Sequence, residues 1–197
     1  LVEKPMADTV ADCESMIAAA RLRNLQLGVN HSDLFDPVVM QALQAVRDGR
    51  IGDVVSVEIV RNSEYPPYAG GPLPGSVTQG SYPFRDLGVH GLYTIEAFLG
   101  PVRDLRVDYQ ARGTDPNLHF DEWQAHAQAR DGVGRLLLSW NARPMENRVF
   151  VRGTRRSRQR VGTTFHFMVA HFLFRRQSCR LVSTDAQPKI KFEYLNT

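Results

Sequence analysis

The stretch FRDLGVHGLYTIEAFLGP, residues 84–101, predicts a central helix that runs from about Phe84 to Leu99 and stops at Gly100-Pro101. Segments with the composition of β-strands lie on both sides of this helix. They cover residues 53–61 before it and residues 102–111, 120–130, 134–141 and 148–153 after it. Turn signals separate the last three segments, so we expect these strands to form an antiparallel meander.

The N-terminal residues follow a different pattern, in which helix and strand alternate. Residues 8–23 predict an amphipathic helix capped by Asp8 or Thr9, with Cys13 as a small core residue. Residues 25–29 form an apolar run with the length of a strand. The chain begins at Leu1 in the middle of this pattern, so we expect the earlier strands of an α/β unit to precede it.

Together these patterns predict an α+β fold in three parts. Residues 1–30 would be the end of an α/β unit, and residues 31–154 a mostly antiparallel sheet domain with helices on one face. Residues 155–197 would be a basic, atypical tail, in which the apolar run 165–174 fits either a helix or a strand. The open face of the sheet would be free to pair with another subunit, so we expect a homo-oligomer.

The composition argues against several functional classes. No run of about 18 apolar residues occurs, so no transmembrane helix is predicted, and the N-terminus lacks the pattern of a signal peptide. The cysteines, Cys13 and Cys179, cannot form a disulfide framework and lack the spacing of a metal site. This pattern favours reduced thiols in a cytoplasmic protein, with no metal and no membrane partner.

The basic charge of the chain is concentrated in the tail. Residues 154–197 hold nine of the 24 Lys and Arg residues but two of the 21 Asp and Glu residues. Arginines in this segment could contact nucleic-acid phosphates. No recognised nucleic-acid motif accompanies them, so a solvated basic segment is the preferred interpretation and nucleic acid is not an expected partner.

Three side chains are candidates for chemistry. Lys4, at the carboxyl edge of an α/β unit, could stabilise a developing alkoxide, or it could be an ordinary surface lysine. Asp86 and His90 are four residues apart on the predicted helix, so they would share one face. A neutral imidazole beside a carboxylate can act as a general base, and the alternative is a surface ion pair or a structural histidine. Residues 63–83 are rich in Pro and Gly and predict a long loop. Loops of this length inside a compact domain usually have a function.

Four groups of residues resemble, in the same order, motifs of the Gfo/Idh/MocA oxidoreductases, which include glucose–fructose oxidoreductase and inositol dehydrogenase. They are Glu3-Lys4-Pro5; Phe35-Asp36-Pro37 with Asp48-Gly49-Arg50-Ile51-Gly52-Asp53-Val54; Asp86-Leu87-Gly88-Val89-His90; and Leu99-Gly100-Pro101-Val102. The resemblance covers residues 1 to about 154. It implies that residues 1–30 are the C-terminal remnant of a Rossmann domain.

The resemblance also implies an activity and roles for individual residues. Enzymes of this kind transfer a hydride between NAD or NADP and a sugar, inositol or related polyol. Glu3, Lys4 and Pro5 would contact the cofactor, and Lys4 would also lie near the reacting oxygen. Asp86 would hold a substrate hydroxyl, and His90 would take the hydroxyl proton.

The chain departs from the family pattern in several places. Gly80-Ser81-Tyr82 stands where the family often has a glycine cluster, and Tyr93 where it often has an acidic residue. The sequence contains no G-x-G-x-x-G phosphate turn, so we expect weak dinucleotide binding by this chain alone. Arg155-Arg156-Ser157-Arg158 predicts an unrelated or frame-shifted ending. The alternative function is a non-catalytic fragment that keeps a small-molecule pocket or an oligomerising sheet.

Overall fold

The computed structural model describes residues 1–63, 82–113 and 120–155, and the backbone of two short strands beyond them. The helices are α1 (Val10–Leu22), α2 (Pro37–Arg47) and α3 (Val89–Leu99), with a 3-10 turn at Ser32–Phe35 and a π-turn at Phe84–Gly88. The strands are β1 (Val54–Asn62), β2 (Val102–Gln110), β3 (Glu122–Ala129), β4 (Val133–Ser139), β5 (Glu146–Gly153), β6 (His166–Val169) and β7 (Val182–Ser183). None of the helices in these ranges has the length and apolar character needed to cross a bilayer.

The strands form one sheet in the order β2-β3-β4-β1-β5-β6-β7. The predicted meander holds for β3 and β4, which are antiparallel neighbours, and β2 lies antiparallel to β3 on the other side. It is wrong for β4 and β5, because β1 lies between them, parallel to β4 and antiparallel to β5. This central position buries Val57 and Ile59 of β1, which are 0% and 1% exposed.

The helices α2 and α3 pack against the sheet as the α+β prediction requires. Asp36 caps α2 as predicted, with its carboxylate accepting the backbone N–H of Val38 at 2.8 Å, and Pro37 occupies the first turn. α3 contacts β1, β3 and β4, and α2 lies beside it. Side chains along β3 alternate between buried and exposed, so among the described residues the face of this strand towards the helices is covered and its other face is open.

Close contact between α3 and the sheet depends on two glycines. A Cβ at Gly134 of β4 would lie 2.5 Å from Cγ2 of Ile95, and a Cβ at Gly91 of α3 would lie 2.7 Å from Cδ1 of Leu136. Each glycine therefore leaves the space that a branched side chain of the opposite element fills. Ile95 and Leu136 are 0% and 1% exposed.

The N-terminal part differs from the prediction in two respects. The helix forms with Thr9 as its cap, but α1 buries none of its residues, and Cys13 is half-buried rather than a core residue. The prediction of an amphipathic helix is therefore wrong: the apolar side chains of α1 do not gather on one face, and Val10, Ile17 and Leu22 are exposed. The predicted strand 25–29 reduces to one parallel bridge between Val2 and Val29.

Several predictions fall wholly or partly outside the described residues. The functional loop predicted at 63–83 lies mostly outside them, as do Gly80 and Ser81. In the tail, strand β6 at His166–Val169 pairs antiparallel with β5, which favours the strand over the helix for that part of the apolar run. An unrelated ending stays a prediction.

Replacing Gly134 with alanine should destabilise the fold by about 2 kcal/mol, because the new Cβ would overlap Ile95 in a filled core. Urea unfolding followed by circular dichroism measures this difference. Gly28→Ala is the matched control, since its Cβ would meet Leu1 Cδ1 at an ordinary 3.6 Å. Equal midpoints for the two variants would show that α3 can move away from β4 at no cost.

Candidate active site

Lys4 and Asp86 form the first part of the site. Lys4 Nζ donates to Asp86 Oδ1 at 2.9 Å and to the backbone oxygen of Asp86 at 2.6 Å. The side chains are 16% and 30% exposed, so this is a partly buried ion pair. Asp86 lies in the π-turn Phe84–Gly88, a widened helical turn of a kind that is frequent at functional sites.

Backbone pairing places Lys4 at an edge where two parallel segments end. Val2 and Val29 form the parallel bridge, and the residues that follow them meet where Asn30 Nδ2 donates to Glu3 Oε1 at 2.9 Å. In α/β units, ligands bind outside the carboxyl ends of parallel strands. The loop of Glu3, Lys4 and Pro5 therefore lies at the edge that this rule indicates.

His90 forms the second part of the site, but with a partner that the sequence did not indicate. Its Nδ1 lies 3.0 Å from Asp33 Oδ1 and 2.5 Å from the hydroxyl of Tyr93. The hydrogen-bonded carboxylate is thus Asp33, from the 3-10 turn, and not Asp86 from the same helix. No sequence signal gave this contact, because Asp33 and His90 are 57 residues apart and meet only through tertiary packing.

Arg61 of β1 holds Asp33 in position through an ion pair. Its guanidinium pairs with the Asp33 carboxylate, and its side chain is 11% exposed. Burial lowers the pKa of Arg61 to about 10, against opposing effects of Tyr93 and Asp86. Arg61 therefore stays charged at neutral pH. Its Nε atom is buried without a hydrogen-bond partner among the described residues.

The surroundings of His90 keep its imidazole neutral. Burial, followed by the positive charges of Arg61 and Lys4, lowers the pKa of His90 to about 4, while Asp86 and Glu3 oppose the shift. Burial also raises the pKa of Tyr93, so its phenol keeps its proton. A neutral imidazole is the form that can accept a proton from a substrate hydroxyl.

His90 lies in the wall of a cavity of about 550 Å³ between the helices and the end of β1. Polar side chains from the 3-10 turn, β1, α3 and β5 line the wall together with apolar ones from the neighbouring elements, a combination found in small-molecule sites. Its lining residues include Asp33, Val39, Arg61, Asn62, Leu87, His90, Thr94, Glu146, Asn147 and Val149. Lys4 and Asp86 are paired with each other close by, where the charge of Lys4 still affects His90.

The structure thus brings the three predicted site residues into one region, in two hydrogen-bonded groups. One group is Lys4 with Asp86, and the other is His90 with Asp33, Tyr93 and Arg61. Sequence reasoning missed Asp33 and Arg61, and treated Tyr93 only as a departure from a pattern. Within the described ranges, no group of three His, Cys, Asp or Glu residues could hold a metal ion.

Comparisons with known proteins agree with this architecture. A family profile described as the GFO/IDH/MocA C-terminal domain matches residues 39–158. A dTDP-3,4-didehydro-2,6-dideoxy-alpha-D-glucose 3-reductase of Streptomyces antibioticus is 33% identical over 101 residues, which are 51% of this chain and 30% of that protein. A 1,5-anhydro-D-fructose reductase of Ensifer adhaerens is 29% identical over 114 residues, 56% of this chain and 34% of that protein.

A solved structure shows the same fold at low sequence identity. It is an oxidoreductase from Agrobacterium radiobacter, in complex with NAD+, L-tartaric acid and magnesium. The TM-score is 0.72 at 16% identity, and the alignment covers 86% of this chain and 48% of the other. The chain therefore spans about half the length of that oxidoreductase, and its matches span about a third of the two curated relatives.

The lowered pKa of His90 should make the folded state sensitive to acid. The folded value of about 4 lies below the ordinary 6.5, so the unfolded chain takes up this proton first as pH falls. Stability is full above about pH 6.5 and is lost as pH falls towards 4, by about 2 kcal/mol after allowing for solvent screening of the partly exposed site.

The measurement is urea unfolding at pH 7 and at pH 4.5. His90→Gln should reduce the loss of stability between these conditions. His126→Gln, at an exposed position on β3, should retain the wild-type loss. If His90→Gln loses as much stability as the wild type, burial of a neutral His90 is not the cause.

Proposed function

Because the chain belongs to the GFO/IDH/MocA family, whose C-terminal domain it contains, we propose that it supplies the substrate-binding and acid–base residues of a cytoplasmic NAD(P)-dependent oxidoreductase. The observation that carries this proposal is the neutral imidazole of His90 in a cavity wall, with the ion pair of Lys4 and Asp86 beside it. The substrate would be a sugar, inositol or related polyol.

Each residue would have a distinct role in oxidising an alcohol. His90 would accept the hydroxyl proton, and the ammonium of Lys4 would stabilise the negative charge that develops on the oxygen. Asp86 holds Lys4 in place through two hydrogen bonds, and its carboxylate would also accept a hydrogen bond from a substrate hydroxyl. When bound, the nicotinamide cofactor supplies the hydride acceptor.

The residues present fit the reacting end of such a cofactor. Glu3, Lys4 and Pro5 lie at the carboxyl edge of the parallel bridge, where dinucleotides bind in α/β folds. The sequence offers no glycine-rich turn for the pyrophosphate. The chain would therefore contribute to the nicotinamide end of the site, and either NAD or NADP is compatible with it.

The cavity supports a small polar substrate. Its volume lies within the range of small-molecule sites, and Asn62, Glu146 and Asn147 can exchange hydrogen bonds with hydroxyl groups. The reductases of Streptomyces antibioticus and Ensifer adhaerens bear the names of sugar-derived substrates. These names favour a carbohydrate-like substrate.

The second candidate is a non-catalytic domain that binds a small molecule or assembles through its sheet. The open face of the sheet supports the assembly role. On β3 this face presents Gln124, His126 and Gln128, all exposed.

The two candidates are separated by joining the chain to the dinucleotide-binding unit of a relative and assaying NAD and NADP reduction with a panel of polyols and sugars. On the first proposal, Lys4→Ala and His90→Ala each lower kcat/KM by roughly 10²- to 10³-fold, because each removes a group that acts on the reacting oxygen. His126→Ala is the control and should leave kcat/KM unchanged.

Unchanged turnover in Lys4→Ala or His90→Ala would reject the role given to that residue. Binding of a panel member without any turnover would favour the non-catalytic candidate. Isothermal titration of the same panel against the 197-residue chain detects such binding.

A further inference from the structure

We propose that Asp33 is a positioning residue that fixes His90 as the Nδ1–H tautomer, with the Tyr93 hydroxyl as a second acceptor, so that Nε2 carries the lone pair offered to the cavity. The inference deepens the proposed function, since it rests on His90 being the base. It names the nitrogen that would accept the proton and the residue that makes this nitrogen available.

The first step concerns what Asp33 can do. Its carboxylate pairs with the Arg61 guanidinium, so it is ionised and can only accept hydrogen bonds. Asp33 Oδ1 lies 3.0 Å from His90 Nδ1. With a hydrogen on Nδ1 this contact is a charge-assisted hydrogen bond, whereas a lone pair there would face a second acceptor at short range.

The second step concerns Tyr93. Its hydroxyl oxygen accepts the backbone N–H of Asp33 at 3.1 Å and lies 2.5 Å from His90 Nδ1. A phenol oxygen has two lone pairs, and the backbone N–H of Asp33 uses one of them. The Tyr93 oxygen can therefore accept from Nδ1 as well. The opposite arrangement, with Tyr93 donating to Nδ1, would leave Asp33 Oδ1 3.0 Å from a ring nitrogen that carries no proton.

The third step is that the surrounding contacts hold these groups in place. The Tyr93 ring stacks on His31 with centroids 4.3 Å apart and planes inclined by 15°, and Tyr93 is 7% exposed. Thr94 Oγ1 donates to the backbone oxygen of His90 at 2.7 Å, one turn along α3. Arg61 restrains Asp33 from the side of the sheet.

The two ring nitrogens of His90 therefore have different roles. Nδ1 is used by Asp33 and Tyr93, so Nε2 is the ring nitrogen left for a ligand. In the other tautomer Nε2 would carry a hydrogen and could not accept a substrate proton. A carboxylate that selects the imidazole tautomer is an established way to prepare a base for proton transfer.

The test is nitrogen-15 NMR of the 197-residue chain at pH 7, where His90 is neutral. Long-range correlations between ring protons and ring nitrogens distinguish the tautomers, and His90→Gln identifies the His90 signals. The expected wild-type result is a protonated Nδ1 and an unprotonated Nε2. Asp33→Asn should give a mixture of tautomers, because an amide can either accept from Nδ1 or donate to it.

Three further variants keep the result interpretable. Tyr93→Phe removes the other partner of Nδ1 and should retain the Nδ1–H form. Arg61→Met with Asp33→Asn removes both charges, avoiding an unpaired buried arginine that could unfold the single variant, and should also give a mixture. Arg61→Met alone should keep the wild-type tautomer.

An Nε2–H form in the wild type would overturn the proposal. The proposal would also be overturned if Asp33→Asn and its double variant with Arg61→Met both kept the wild-type tautomer. A change of tautomer in Tyr93→Phe, with none in these two variants, would overturn it as well. These results do not depend on turnover. Failure of the polyol assay with a confirmed Nδ1–H tautomer would count against the proposed reaction and not against the role of Asp33.

Discussion

The fit of α3 onto the sheet through Gly91 and Gly134 is the constraint on which the rest of the structure depends. These two glycines let Leu136 and Ile95 occupy space that any Cβ would fill, so helix and strand approach closely. α3 also carries His90, and the π-turn at its start carries Asp86. The depth of packing therefore sets how far both side chains stand from Lys4 and from the 3-10 turn.

Charge is balanced within the site in two ion pairs. Lys4 is matched by Asp86 and Arg61 by Asp33, and both cations disfavour a proton on His90. Removing one member of either pair would leave a partly buried charge uncompensated. Burial, together with these two cations, lowers the pKa of His90 and explains how a histidine can lie next to a carboxylate and still be neutral near pH 7.

The residues predicted from sequence are those whose contacts follow from motifs or from local spacing. The Asp36 cap, the end of the central helix at Leu99 and the antiparallel pairing of β3 with β4 depend on neighbouring residues, and they were confirmed. The meeting of Lys4 with Asp86 followed from a family resemblance, because no local rule joins positions 82 apart. Asp33 and Arg61 could not be found in this way. Their importance comes from one cavity that is lined by the 3-10 turn, α2, β1, the π-turn, α3 and β5.

The insertion of β1 between β4 and β5 has a consequence for how the chain folds during synthesis. Ser56 pairs with Val133 and Val57 with Val151, so β1 has no sheet partner until the ribosome has passed those distant residues. The hairpins of β2, β3 and β4 join near neighbours and can close earlier. Until β1 docks, the apolar side chains of Val57 and Ile59 remain exposed on the nascent chain. The centre of the finished sheet is thus one of the last parts to assemble, and the stage before it is the one at greatest risk of aggregation.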